Sequence, residues 1–214
     1  MNINVIGVGA VLPPKGALSV GEIKRADYPL SPKTYLDRAS ELALCAAALA
    51  LRTAKLSGPL GPDCGLAMGT QFGSVETMRV FEDKLHQSGT RGASPLLFSH
   101  SYFNAAAALI AIEWGIGGYH APFCGRDSAW QAIETARDAI VLGHAETMLC
   151  GGVEANSPAR SWAGENQSGE GAVFVVLQRD GNGLTFEEFW QAPRAIQGDW
   201  GALGALLARW KFTS

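Results

Sequence analysis

Four cysteines, four histidines and one loose pair of carboxylates are the side chains of this 214-residue sequence with catalytic or metal-binding chemistry to offer. Cys45, Cys64, Cys124 and Cys150 lie far apart, each in an apolar segment. That spacing makes neither a zinc CxxC pair nor a disulfide framework, so reduced, mostly buried thiols are expected. His86, His100, His120 and His144 show no short spacing that would converge on a metal ion, and no metal site is expected. The carboxylates of Glu165 and Glu170 are close enough in sequence for acid–base work, but no second catalytic group accompanies them and they read as structural. Gly7-x-Gly9 opens like a dinucleotide fingerprint. Leu12 stands where the third glycine belongs, however, and Pro13-Pro14 forbid the helix whose N-terminus would hold a pyrophosphate. No cofactor is expected.

The elements that would position these groups alternate in type. Asn2 to Val11 is a β-branched run stopped by Pro13-Pro14, hence a buried strand. Ser31 to Lys55 is Ala- and Leu-rich and reads as a largely buried helix. Cys64 to Thr70 is a second strand, and Val75 to His86 a helix with Met78, Val80, Phe81 and Leu85 inward. From Pro95 an extended apolar strap, PLLFSHSYFN, feeds an Ala-rich helix that ends at Gly115. Tyr119 to Cys124 is a strand, and Ser128 to Leu142 a helix with Ser128 and Gln131 at capping-box spacing and Gly143 as C-cap. Thr147 to Cys150 and Gly171 to Gln178 complete the strands. Strands alternating with helices at short spacing require crossovers, so the expected class is α/β, with a mainly parallel five-stranded sheet and helices on both faces.

With 47% apolar and 17% charged residues the chain has material for a sizeable core. With a net charge of −3 and no long like-charge run, nothing marks a nucleic-acid or anionic-membrane surface, and neither partner is expected. The N-terminus has no basic n-region and no stretch of 18 or more apolar residues occurs, so a cytoplasmic protein with no membrane partner is expected. Residues 1–180 read as one domain. Residues 181–214 hold three of the six Trp and read as a tail packed on the domain or on a partner, with Asp199 to Trp210 presenting Trp200, Leu203, Leu207 and Trp210 from an amphipathic helix.

Three segments in order resemble the N-terminal half of a β-ketoacyl synthase of the thiolase fold. They are GLAMGTQFGSVETM at Gly65 to Met78 with the strap ending in Asn104-Ala-Ala-Ala; WGIGG at Trp114 to Gly118 leading on to AIVLGHAETMLCGGVE at Ala139 to Glu154; and SGEGAVFVVLQ at Ser168 to Gln178. The resemblance spans roughly Asn2 to Arg179, one half of a ketosynthase, and does not include the half that carries the family's two catalytic His motifs. It implies a nucleophilic Cys at a strand-to-helix turn, where helix N–H groups stabilise the thiolate. Counting forward from Gly118 puts that position at Asp127, and counting back from Gly143 puts it at Arg126; neither is Cys. The turn Gly125-Arg126-Asp127-Ser128 is therefore expected to be catalytically degenerate, with Cys124 as the alternative nucleophile or else a small buried hydrophobe. Arg126 and Asp127 are left either to pair across an interface, to bind an anion, or to cap and be solvated.

Chain-length factors, the non-catalytic partners of type II polyketide ketosynthases, also lack this Cys, and short ketoacyl-synthase-like chains associated with aryl polyene pigments are similar to this one. The resemblance thus implies a non-catalytic subunit. It would heterodimerise with a full-length ketosynthase, meet acyl carrier protein through that complex, and shape an acyl or polyene tunnel in polyketide or fatty-acid-like biosynthesis. The alternatives are an acyltransferase or condensing enzyme using Cys124 with a partner's His, and a homodimeric acyl-binding scaffold. In the family the strap crosses the dimer interface, which makes His100, Tyr102, Phe103 and Asn104 the tunnel and interface candidates. If extended, it sends His100, Tyr102 and Asn104 to one side and Ser101 and Phe103 to the other. A lone half also leaves an apolar helix face exposed, and something must cover it.

Overall fold

The computed structural model describes residues 1–158, 160 and 169–210. Its strands are β1 (Ile3–Val11), β2 (Cys64–Thr70), β3 (His120–Cys124), β4 (Thr147–Glu154), β5 (Gly171–Arg179) and β6 (Leu184–Thr185). Its helices are α1 (Arg38–Thr53), α2 (Val75–Ser88), α3 (Pro95–Ser99), α4 (Ala105–Trp114), α5 (Ser128–Val141), α6 (Phe186–Phe189) and α7 (Gly204–Arg209).

The strands form one sheet in the order β3-β2-β4-β5-β1-β6. β2 pairs in parallel with β3 and β4, while β5 runs antiparallel to both β4 and β1, and β6 antiparallel to β1. Strands β1 to β4 therefore share one direction, as expected of crossover connections, but the sheet is mixed. It has six strands rather than five, because the short β6 adds a rung on β1 that its two residues do not announce as a strand.

The two faces carry separate cores. Leu66, Met68, Leu149, Phe174 and Val176 pack under α1 and α4, while Ala67, Cys150, Val173, Val175 and Leu177 pack under α5. This alternation follows from the two-residue repeat of a strand. Asp37 starts α1 by accepting from the Ser40 N–H at 3.0 Å, and the run of Ala that follows lies fully buried. Helix α2 is peripheral: only Thr77 is buried, and Met78, Val80, Phe81 and Leu85 are half-covered rather than core.

Two further expectations are corrected. Ser128 is not the N-cap of α5; Asp127 is, in a left-handed conformation and with no side-chain cap. The strap is not extended either. Ser94 caps the helix α3 with Pro95 at its first position, and Leu97, His100 and Ser101 turn inward at helical spacing.

The tail folds back on its own domain. Phe186, Phe189, Trp190, Leu203, Leu206, Leu207 and Trp210 join the α5 core. The apolar face of α5 is thus covered by the chain's own tail. Gly201–Leu203 and α7 form a tight 3-10 turn plus a short helix in place of the continuous helix expected there. No helix among the described residues is long and apolar enough to cross a membrane.

Candidate functional site

Parallel pairing sets Thr70 beside Cys124 and Gly69 beside Gly152, so the C-terminal ends of β2, β3 and β4 lie together. Open α/β sheets present their ligand sites at this end. The N-terminus of α5 is pressed onto it. A Cβ on Gly69 would meet the Ser128 backbone at 2.2 Å, and one on Gly152 would meet Ala129 Cβ at 2.4 Å. Only glycine lets the turn between β3 and α5 approach the strands so closely.

Within that turn Gly125 N–H donates to Thr70 O at 3.0 Å, and Asp127 takes a φ of 61°. A left-handed non-glycine residue is uncommon and marks a sharp strand-to-helix turn. The Asp127 carboxylate does not cap α5 but accepts from the Ala205 N–H at 2.7 Å, and the Asp127 N–H donates to Gly201 O at 3.2 Å. Arg126 reaches Asp199 with both terminal nitrogens, at 3.2 and 2.8 Å, and holds that carboxyl below its ordinary range. So Arg126 and Asp127 both pair with the chain's own tail. Ser128 is fully buried, and its hydroxyl has no hydrogen-bond partner among the described residues.

Glu154, at the end of β4, was not foreseen as a site residue. Its one signal is a carboxylate closing an otherwise apolar strand. It has no exposed surface and accepts from the N–H groups of Gln71 (3.1 Å), Phe72 (3.2 Å) and Ala202 (3.0 Å). Burial pushes its carboxyl up despite those donors and the nearby Arg160.

Cys124 is exposed at the end of edge strand β3, which corrects the reading of it as a buried hydrophobe; Cys45, Cys64 and Cys150 are buried as expected. Partial desolvation, then the Glu154 charge, push the Cys124 thiol up. That is the reverse of what activates a nucleophile. No cluster of His, Cys, Asp and Glu among the described residues is arranged to hold a metal. Glu170 is buried in an ion pair with Arg38, while Glu165 lies outside the described residues.

The strap residues separate. His100 is buried edge-on to Tyr35, with Nδ1 3.7 Å from Asp37 Oδ2, and so does not reach outward. Tyr102 and Phe103, instead of pointing to opposite sides, line one narrow slot with Met68, Thr70, Gly73, Ser74 and Val153, because the chain there turns instead of extending. Asn104 lines a groove of about 120 Å³ between α4 and β3, with Ala107, Ala108, His120 and Pro122. Leu96, Phe98, Tyr102, Phe103 and Ile112 are exposed, and Phe98 stacks edge-to-face with Tyr102 at 5.2 Å.

Comparison with known proteins agrees with this geometry. 3-Oxoacyl-[acyl-carrier-protein] synthase 2 of Mycobacterium leprae is 34% identical over 103 residues, 48% of this chain and 24% of that protein. Its counterpart in Mycobacterium tuberculosis is 30% identical over 133 residues, 58% of this chain and 32% of that protein. The matches thus span a third or less of these relatives. Among solved structures, a type II polyketide acyl-carrier protein in complex with its ketosynthase bound to the hexaketide superposes with a TM-score of 0.72 at 22% identity, over 84% of this chain and 62% of that one. The ishigamide ketosynthase/chain length factor gives 0.69 at 17% identity, over 87% and 59%. These two likenesses are of fold. Residues 28–169 match the family model of the β-ketoacyl synthase N-terminal domain, and the chain belongs to that family.

Proposed function

We propose that this chain is a non-catalytic, chain-length-factor-like subunit that heterodimerises with a full-length ketosynthase in the cytoplasm. There it shapes the tunnel in which a carrier-protein-bound acyl or polyene chain grows in polyketide (aryl polyene) or fatty-acid-like biosynthesis. The observation that carries the reading is the exposed apolar side of the molecule. Among the described residues the outer edge of β3 is unpaired, α4 lines a groove against it through Ala107 and Ala108, and Tyr102, Phe103 and Ile112 of the strap and α4 are exposed. A sheet edge flanked by aromatic residues is the kind of surface that obligate interfaces cover. The turn supports the non-catalytic role: Arg126 and Asp127 cannot form a thioester, and Cys124 sits in surroundings that disfavour its thiolate.

The test is to incubate the reconstituted pair with an acyl-thioester and read each subunit by intact mass. Acyl adduct on the ketosynthase alone is the expected result. Adduct on this chain, lost in Cys124→Ser, would instead establish the Cys124 acyltransferase.

A further inference from the structure

Residues 199–207 meet the turn through the side chains of Arg126 and Asp127 and the Asp127 N–H. Asp127 uses its carboxylate on the Ala205 N–H and its own N–H on Gly201 O. Arg126 spans to Asp199, which also accepts from the Gly201 N–H at 2.9 Å. Glu154 joins the Ala202 N–H to the β2–α2 loop. The fit is close as well as polar. A Cβ on Gly204 would lie 2.8 Å from Asp127 Oδ1, one on Gly201 would lie 2.5 Å from Glu154 Oε2, and the Trp200 ring lies against Gly169. Below these contacts Leu203, Leu206 and Leu207 fill the space over α5.

We propose that the turn has become the receptor for the chain's own residues 199–207, with Arg126, Asp127 and Glu154 as its clamp, and that the docked segment shuts the Asp127 position at the start of α5 against any ligand. The residues that stand at the expected nucleophile position do not merely lack chemistry; they hold the lid. Backbone groups of the segment satisfy carboxylates that would otherwise need water or a bound molecule. An acyl chain therefore has no entry beside Asp127, and in the complex inferred above it lies on the partner's side and against the Tyr102–Phe103 surface. The clamp itself does not depend on that complex, because every contact is within one chain.

Two measurements on the intact chain alone test this. In hydrogen exchange, Arg126→Ala/Asp127→Ala speeds exchange of the Ala202 and Ala205 amides by about tenfold or more, the equivalent of one or two net hydrogen bonds, while the β2 and β4 amides keep their rates. Asp127→Asn, which retains an acceptor for Ala205, keeps most of the protection. Protection unchanged in the double variant would overturn the clamp. In the second measurement, Cys124→Ser/Ser128→Cys places a thiol at the fully buried first residue of α5 with Arg126, Asp127 and Glu154 intact, and iodoacetamide labels it about tenfold more slowly than it labels Cys124 in the parent chain. Equal rates would overturn the closure, and both results stand or fall without any ketosynthase present.

Discussion

Glu170 has almost no exposed side chain, yet it is ionised because its neighbours are built around the charge. Ser19 Oγ donates to it at 2.7 Å, Val20 N–H at 2.9 Å and Arg38 Nη2 at 2.8 Å. Burial alone would raise its carboxyl, but the Arg38 and Ser19 hydrogen bonds outweigh it and the net shift is downward. A carboxyl lower in the folded than in the unfolded state adds stability above its unfolded value, and that stability is lost as pH falls through the folded value. Glu170→Gln should therefore lower the unfolding free energy by about 2–3 kcal/mol at pH 7, with the deficit shrinking below about pH 4. Urea melts of both chains at pH 7 and pH 3 check this, and a deficit independent of pH would show that packing rather than charge is at stake. Cys124 belongs to the same scale. Exposed but not activated, it should alkylate readily with excess iodoacetamide and take no acyl group from a thioester, which intact mass reads directly.

At the scale of the elements, Gly7-x-Gly9 turns out to be a packing device. A Cβ on Gly9 would meet Ala46 O at 2.1 Å and Ala50 N at 2.3 Å, so β1 and α1 touch backbone to backbone. Gly9→Ala should cost about 3 kcal/mol or more, since neither backbone can yield cheaply, and a chemical melt measures it. Strands β1 to β5 and helices α1, α4 and α5 were legible in the sequence because long apolar runs and Gly or Pro stops announce them. The strap was not. Its inward residues, Leu97, His100 and Ser101, have helical spacing, but two of the three are polar, so hydrophobicity alone hides the period; Ser94 and Pro95 were the cues. The tail's hold on the turn was illegible for a different reason. Apart from the Arg126–Asp199 ion pair, backbone groups such as the N–H of residues 202 and 205 make the contacts, and no side-chain pattern encodes them.

The outer edge of β3 has its own grammar. Tyr119 O and Gly125 N face β2, so by alternation His120, Pro122 and Cys124 direct their backbone groups outward. Pro122 then leaves the middle of the edge without a donor, a device that blunts unwanted strand pairing. Pro122→Ala restores it and should strengthen self-association by about 1 kcal/mol per added hydrogen bond, read by sedimentation velocity. Unchanged association would mean that this edge does not meet another copy.

For the molecule as a whole, the two sides of the sheet are in contrasting states. The α5 side is closed by the chain's own tail, while the strap, α4 and β3 side presents exposed aromatic and aliphatic residues next to an open edge. The proposed ketosynthase would dock on the strap and α4 side. Covering it to the extent typical of obligate pairs would bury roughly 2,000 Å² or more in total. The most direct test of the account is the native mass of this chain mixed with a full-length ketosynthase, in parallel with a Phe98→Asp/Ile112→Asp chain. A one-to-one complex for the parent, lost in the double variant while that variant stays folded, is the predicted result. A parent chain that remains alone in solution, with an unfolding transition unmoved by the ketosynthase, would contradict it.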